Sequence, residues 1–536
     1  MEWDEQQLEI INLGIERILI VAPAGTGKTE VLAARAASLI QRRLVQSPRQ
    51  ILALTFTNRA VANLVSRLRR VFGINYADYV TIHNFHGFAA RLITAHGELI
   101  GIDPQTIIWP ENGWTESQLS NLSRSDRDEA LKALKSVKSL PIDDVEVISR
   151  LTQIGSQDAI DIEIIRQREG RLDHDDVLRH GERILQFENI LTRYRDHYPV
   201  LFVDEIQDLT LPELRMVTLI GELPITAAGD ATQSIFKFTG ADPDAAFASF
   251  DPANTKIVRL RRSYRSAPAI LRVVNALGEL DGAEPVICAD PSQFRDDGVV
   301  ALLESEDTVI EAHTLMNILN SRVLVDESIS VGILSRTARR SQAFENLCIE
   351  TNVPYQSWSL PTHDPDVVSI IRKLRNTGKD ASDEERFAAV RQACLEAVPA
   401  DDLDLANSML GAFALLYERL ENGIAIEQVF DECRVSGTRD QPIGPGIHIL
   451  NGHKGKGQQF DWVVVVGAED ENIPSYFAND KEALDEERRI LGVMSSRAKY
   501  GLVFTIVNME EAYGIMRNRS RSRWFEHIEP HLTEEW

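Results

Sequence analysis

Short apolar runs recur along the chain, each closing on glycine or a polar residue. The first, Ile15 to Ala22, ends in a glycine loop, and the VLAARAASLI that follows spaces its apolar residues as an amphipathic helix does. Similar runs stand at ILALTF (Ile51 to Phe56), VLFVDE (Val200 to Glu205), ITAAGD (Ile225 to Asp230), VGILS (Val331 to Ser335) and DWVVVVGA (Asp461 to Ala468). Helical patterns lie between many of them, which predicts parallel strands in α/β layers. The runs fall into two groups, residues 15 to about 262 and about 263 to the end, predicting two sheets. Residues 96–170 and 363–440 have helical character without strand rhythm and read as helical insertions. No internal repeat is visible.

Composition narrows the class. A chain of 536 residues needs more than one core, and 43% apolar with 26% charged residues describes a globular protein. The four cysteines are far apart, so no CxxC clasp or disulfide framework is indicated, and buried free thiols are expected. The acidic start MEWDEQQ lacks the pattern of a secretory signal, and no run of eighteen apolar residues occurs, so a cytoplasmic protein without membrane contact is expected. A net charge of -24 excludes indiscriminate coating of nucleic acid. Any DNA or RNA is expected in a confined channel with stacking contacts.

The candidate chemistry sits at the ends of the apolar runs. In APAGTGKT (Ala22, Pro23, Ala24, Gly25, Thr26, Gly27, Lys28, Thr29) the glycines let backbone approach phosphate, Lys28 reaches terminal phosphates and Thr29 holds magnesium. Ala22 stands where the general pattern has glycine. Asp204 suits a magnesium contact through water, and Glu205 the base for the attacking water, because both close the run VLFV at a strand's carboxyl end. Gln233 can bond a phosphate oxygen and that water together. Arg265 and Arg497 offer planar guanidinium groups for the transferring phosphoryl group. Singly, each of these last three is an ordinary surface residue; their order gives them force.

In that order the residues resemble superfamily 1A helicases of the UvrD/Rep type. APAGTGKT resembles motif I, TFTNRAVANLVSRL (Thr55 to Leu68) motif Ia, TIHNFHGFAARL (Thr81 to Leu92) the next DNA-side motif, and LDHDDVL (Leu172 to Leu178) the approach to motif II at DEIQD. GDATQSIFKFTGAD resembles motif III, LRRSYRS motif IV, HKGKGQQFDWVVVVG motif V and EERRILGVMSSRAK motif VI. The resemblance implies two RecA-like domains. The first would be residues 1–95 and 171–262 around insertion 96–170, and the second residues 263–362 and 441–536 around a reduced insertion at 363–440. It implies ATP and Mg2+, with Gln7 reading adenine, Tyr264 stacking on it, Gln459 near the ribose, and Arg265 and Arg497 at the γ-phosphate. It places Phe56, Thr57, Asn58, His83, Phe236, Phe238 and His453 along single-stranded DNA, the alternation of Phe236 and Phe238 suggesting one face of an extended segment. Translocation 3′ to 5′ on single-stranded or tailed duplex DNA follows from the resemblance, in repair or phage defence.

Four positions depart from the family pattern: Thr239 for Arg, Gln459 for Glu, Ser263 for Asn and Ser496 for Thr. The compact outline resembles the helicase partners of bacterial defence systems such as Gabija. That leaves a second reading, a nucleic-acid-sensing ATPase subunit that controls a partner nuclease or effector without processive unwinding.

Overall fold

The computed structural model describes every residue except 1–2, 111–113, 120–121, 222–223, 295, 359–361, 363–364, 380, 399–402, 422–423, 432, 434–442 and 513–514. Its first sheet comprises β1 (Ile18–Val21), β2 (Ile51–Thr55), β3 (Val80–Asn84), β4 (Val200–Val203), β5 (Ile225–Gly229) and β6 (Lys256–Arg259). Their spatial order is β3-β2-β4-β5-β1-β6, every pairing parallel. The apolar runs are unbroken because both faces are covered. Ile18 and Ile20 pack with Ile10, Val31, Leu39 and Leu64 of α1 (Glu5–Asn12), α2 (Lys28–Gln41) and α3 (Asn58–Phe72). Leu19, pointing the other way, packs with Phe85, Phe88 and Leu92.

A short parallel pair, β7 (Arg262–Ser263) and β8 (Ile287–Cys288), follows β6. The second sheet then takes β9 (Val299–Ser305), β10 (Ser330–Ser335), β11 (Tyr355–Ser357), β12 (Gly446–Asn451), β13 (Phe460–Val466) and β14 (Ala498–Val507). After these, β15 (Met509–Ala512) and β16 (Ile515–Asn518) form an antiparallel hairpin, and β17 (Glu534–Glu535) returns beside β9. The order is β11-β12-β10-β13-β14-β9-β17, again parallel throughout. The protein is thus α/β with two parallel-sheet bodies. Among the described residues no helix is long and apolar enough to cross a membrane. All four cysteines are free, with Cys348, Cys394 and Cys433 buried and Cys288 half-buried.

Each body carries helices with a small core of their own. Between β3 and β4, helices Arg124–Lys138, Asp144–Ile154 and Gln157–Glu169 meet around Leu134, Val137, Val147, Leu151 and Ile162. Between β11 and β12, helices Pro365–Leu374, Asp383–Ala397, Leu403–Glu421 and Ile426–Asp431 enclose Val367, Phe387, Val390, Phe413 and Phe430.

The first helical unit is locked to its sheet by buried charge. Lys138 Nζ has no exposed side-chain surface and lies 2.8 Å from Glu163, 2.7 Å from Asp173 and 2.8 Å from Asp176. Asp173 also caps helix His174–Leu185, and Arg166 and Arg179 complete the cluster. Burial alone would raise the Asp176 carboxyl, yet Lys138 and Arg179 hold it well below the usual range. Removing one partner strands the others as uncompensated buried charge. Lys138→Met is therefore expected to lower unfolding free energy by about 3–5 kcal/mol in urea denaturation. Arg150→Ala, which breaks the exposed pair with Glu146, should cost under about 1 kcal/mol.

Candidate functional site

The strand order puts the carboxyl ends of β4, β5 and β1 side by side, and the loops leaving them form the site. The first loop continues β1: Ala22 N donates to Gly229 O at 2.9 Å, and Ala22 is fully buried. Ala22 is not among the non-glycine residues at positive φ, so a Cβ where the general pattern has glycine is tolerated. Gly25 and Gly27 do need their freedom, at φ 80° and 84°. Gly27 caps α2, which starts at Lys28. Thr26 turns the loop by donating its hydroxyl to Pro23 O at 2.8 Å, and Gln7, buried beneath it, donates to Thr26 O at 3.1 Å.

Two buried carboxylates, Asp204 and Asp230, and the half-buried Glu205 face this loop. Thr29 Oγ1 donates to Asp204 Oδ2 at 3.1 Å, and Lys28 Nζ donates to Glu205 Oε2 at 2.8 Å. Glu205 itself sits at φ 55°, a strained position for a side chain that the surrounding bonds must hold in place. Burial disfavours its charge, but Lys28 and Lys456 outweigh burial and bring its pKa down to about 2. Burial, with Glu205 beside it, pushes Asp204 up to about 6. Burial likewise opposes the Lys28 ammonium, and Glu205, Asp204 and Asp230 more than offset it. A carboxylate raised in this way, beside a threonine hydroxyl, is suited to a hard divalent cation that keeps waters and phosphate among its ligands.

From Glu205 a relay of hydrogen bonds crosses to the second body. Gln207 Nε2 donates to Glu205 Oε2 at 2.6 Å, and Gln207 Oε1 accepts from Asp230 N at 3.0 Å. Gln233 Nε2 donates to Asp230 Oδ2 at 2.6 Å, and Arg497 Nη2 reaches Gln233 Oε1 at 3.4 Å. Arg497 is 2% exposed and is aimed by its donation to Val493 O at 2.9 Å and Ser496 Oγ at 2.7 Å. Ser496, in place of threonine, keeps the hydroxyl this requires.

The segment after β7 closes on the loop from the other side. Tyr264 N donates to Gly25 O at 2.9 Å, and a Cβ at Gly25 would lie 2.5 Å from Ser263 Oγ and 2.8 Å from Arg265 Cβ. Tyr264 OH donates to Asp4 at 2.8 Å, so its ring stands by the helix that carries Gln7. Arg265 Nη1 donates to Ser496 O at 3.2 Å, while its buried Nε has no partner among the described residues. Burial and the charge of Arg497 push Arg265 down to about 9, strain that an anion between the two would relieve. Pro23, Ala24, Asp230, Gln233 and Ser496 line a cavity in this cleft. Gln459 is not brought to it: it is exposed, and among the described residues it makes no hydrogen bond to the loop.

A second group of predicted residues gathers beside the relay. The rings of Phe56 and Phe236 are 5.7 Å apart and those of Phe236 and His453 6.1 Å. Thr57 is exposed and caps α3 by accepting from Ala60 N at 3.1 Å, and His83 lies at the end of β3, in register with Leu54 of β2. Burial and Arg91 lower the His83 pKa, and its buried Nε2 has no partner. The side chains of Asn58 and Phe238 lie outside the described residues. The expected extended segment at Phe236 and Phe238 is not found. Lys237–Thr239 form a turn of 3-10 helix closed by Gly240 at φ 95°, so residues two apart no longer share a face.

Thr239 donates its hydroxyl to Phe236 O at 2.6 Å and is spent on that turn. The turn is tied to the carboxylate segment by Lys456, which sequence reasoning missed. Lys456 Nζ bonds both Asp208 oxygens at 2.8 and 2.6 Å and Gln233 O at 2.7 Å, and lies 4.9 Å from the centre of the Phe236 ring. It therefore touches the hydrolytic relay and the aromatic group at once. Its only sequence signal was its place in HKGKGQQF.

The sequence has counterparts in known proteins. The family model for the UvrD/REP helicase N-terminal domain matches residues 3–251, and that for the UvrD-like helicase C-terminal domain matches residues 371–509. The chain belongs to the UvrD-like helicases. It is 25% identical to the ATP-dependent DNA helicase UvrD2 of Mycobacterium tuberculosis, over 98% of this chain and 81% of that protein. It is 22% identical to the ATP-dependent DNA helicase PcrA of Staphylococcus aureus, over 99% of this chain and 86% of that protein.

Two outcomes follow from the charges of this helicase site. Asp204 binds a proton more tightly folded than unfolded between its ordinary 3.8 and about 6, so its contribution to stability falls as pH rises through that window. Asp204→Asn should raise the melting temperature of the nucleotide-free protein more at about pH 7.5 than at about pH 4.5. Equal gains at both would contradict the assignment. Lys456→Ala should cut the ratio of nucleic-acid-stimulated to basal ATPase at least about tenfold, the effect of losing roughly 1.4 kcal/mol, and Lys456→Arg should restore most of it.

Proposed function

We propose that this UvrD-like helicase is an ATP-driven translocase on single-stranded DNA. The observation that carries the reading is the unbroken relay Lys28, Glu205, Gln207, Asp230, Gln233, Arg497, with Lys456 joining it to the ring of Phe236. Lys28 Nζ is held by Glu205 Oε2. A terminal phosphate competes for Lys28 Nζ and releases Glu205 Oε2, which Gln207 still holds, to accept a proton from the attacking water. Arg265 and Arg497 place positive charge at the transferring group from the other side of the cleft. Mg2+ would neutralise phosphate oxygens, held by Thr29 and, through water, by Asp204. Loss of the phosphate removes what Arg497 and Gln233 grip together, so the cleft reopens and Lys456 transmits that to the aromatic group.

Movement 3′ to 5′ and a role in repair or phage defence belong to this reading on the strength of family resemblance, and a cytoplasmic location goes with it. The second reading, a sensor ATPase that controls a partner nuclease or effector, draws on Thr239 and on the small helical unit between β11 and β12. Displacement of a strand from a tailed duplex by the protein alone decides between the two.

ATP hydrolysis measured with single-stranded DNA, single-stranded RNA and tailed duplexes tests the main reading. Single-stranded DNA is expected to stimulate turnover, and Lys28→Ala and Glu205→Gln each to lower it by about a hundredfold or more. Turnover indifferent to every polymer across a salt titration would overturn it.

A further inference from the structure

Tyr476 and Phe477 take no part in the site described above, yet they are 61% and 82% exposed. Their rings stand 5.7 Å apart at 83° to one another. Among the described residues Phe477 is the most exposed of the large apolar side chains.

The loop that displays them is firmly tied. Asn472 Nδ2 donates to Glu469 at 2.7 Å and to Glu510 at 3.1 Å, Ser475 N donates to Glu487 at 3.1 Å, and Ala478 N donates to Ser475 O at 2.9 Å. Asp480 then caps helix Lys481–Ser495. A backbone held in this way loses little further conformational freedom on binding, which favours a recognition role.

Their place in the fold points to the ligand. Glu487, which anchors Ser475, also pairs with Arg336 at 2.7 Å, and Arg336 lies close enough to His453 to act on its charge. Lys237, next to Phe236, pairs with Glu482 at 2.5 Å in the first turn of the helix that the loop leads into. The two rings therefore sit on the same carboxyl edge of the second sheet as His453, near the Phe236 turn. Their chain neighbours carry charge: Glu471, Asp480, Lys481 and Glu482. A protein-docking patch has a contiguous apolar centre with charge excluded from it. Two isolated aromatic faces among charges match base stacking instead, as single strands are held.

We propose that Tyr476 and Phe477 form an additional base-stacking contact for single-stranded nucleic acid, extending the row made by Phe56, Phe236 and His453. The proposal rests on the nucleic-acid motor reading. It is tested with the full chain by fluorescence anisotropy, using a labelled oligothymidylate and a tailed duplex. Tyr476→Ala/Phe477→Ala should weaken binding at least about tenfold, the scale of losing one or two stacked bases, with an unchanged melting temperature. Phe477→Trp should bind like wild type, and Phe477→Leu, which keeps apolar bulk without a ring, should weaken binding. Should the double variant melt early, Phe477→Leu carries the test. Wild-type affinity in the double variant or in Phe477→Leu overturns the stacking contact while leaving the motor reading intact. A wild-type protein that binds neither probe overturns both.

Discussion

Asp204 and Asp208 are buried, and Glu205 between them half-buried, within one short segment, and the organisation of the protein follows from how their charge is tolerated. Ionised carboxylates out of water are costly unless paired. The pairing comes from opposite ends of the chain: Lys28 from the loop after β1, and Lys456 from the loop after β12. One acidic segment thus sets the positions of two lysines that belong to different sheets. The cleft between the bodies is where the charges of the first are satisfied by the second.

That dependence explains the lining of the cleft. Burial and the neighbouring Arg497 depress Arg265 on one wall, and burial and the neighbouring Glu205 raise Asp204 on the other. Each wall is uncomfortable alone, and a phosphate chain with a divalent cation carries the charges both lack. Buried strands β1, β4 and β5 give these groups a rigid base, so the electrostatic mismatch is kept for the ligand and not relaxed by local movement.

Much of this was legible in the sequence where chemistry and chain order coincide. Lys28, Thr29, Asp204 and Glu205 follow apolar runs directly, and strands buried on both faces announce themselves as such runs. Edge strands do not: β6 is KIVR with only Val258 buried, and β3 ends in His83 and Asn84. The turn at Phe236 was misread because alternation alone cannot tell a strand from a 3-10 turn stopped by Gly240. Lys456 escaped because its partner Asp208 lies in the other body, and no local pattern encodes a contact between distant loops. The burial of Lys138 among three acidic groups was hidden for the same reason.

The dual grip of Lys456 has a thermodynamic consequence. An ammonium that bonds Asp208 and Gln233 on one side and lies against Phe236 on the other cannot be shifted by one ligand without altering the free energy of the other. Linkage then requires reciprocity: by whatever factor a bound strand tightens or loosens nucleotide, nucleotide must tighten or loosen the strand by the same factor. On the reading proposed above, a single side chain thereby couples occupancy of the two sites.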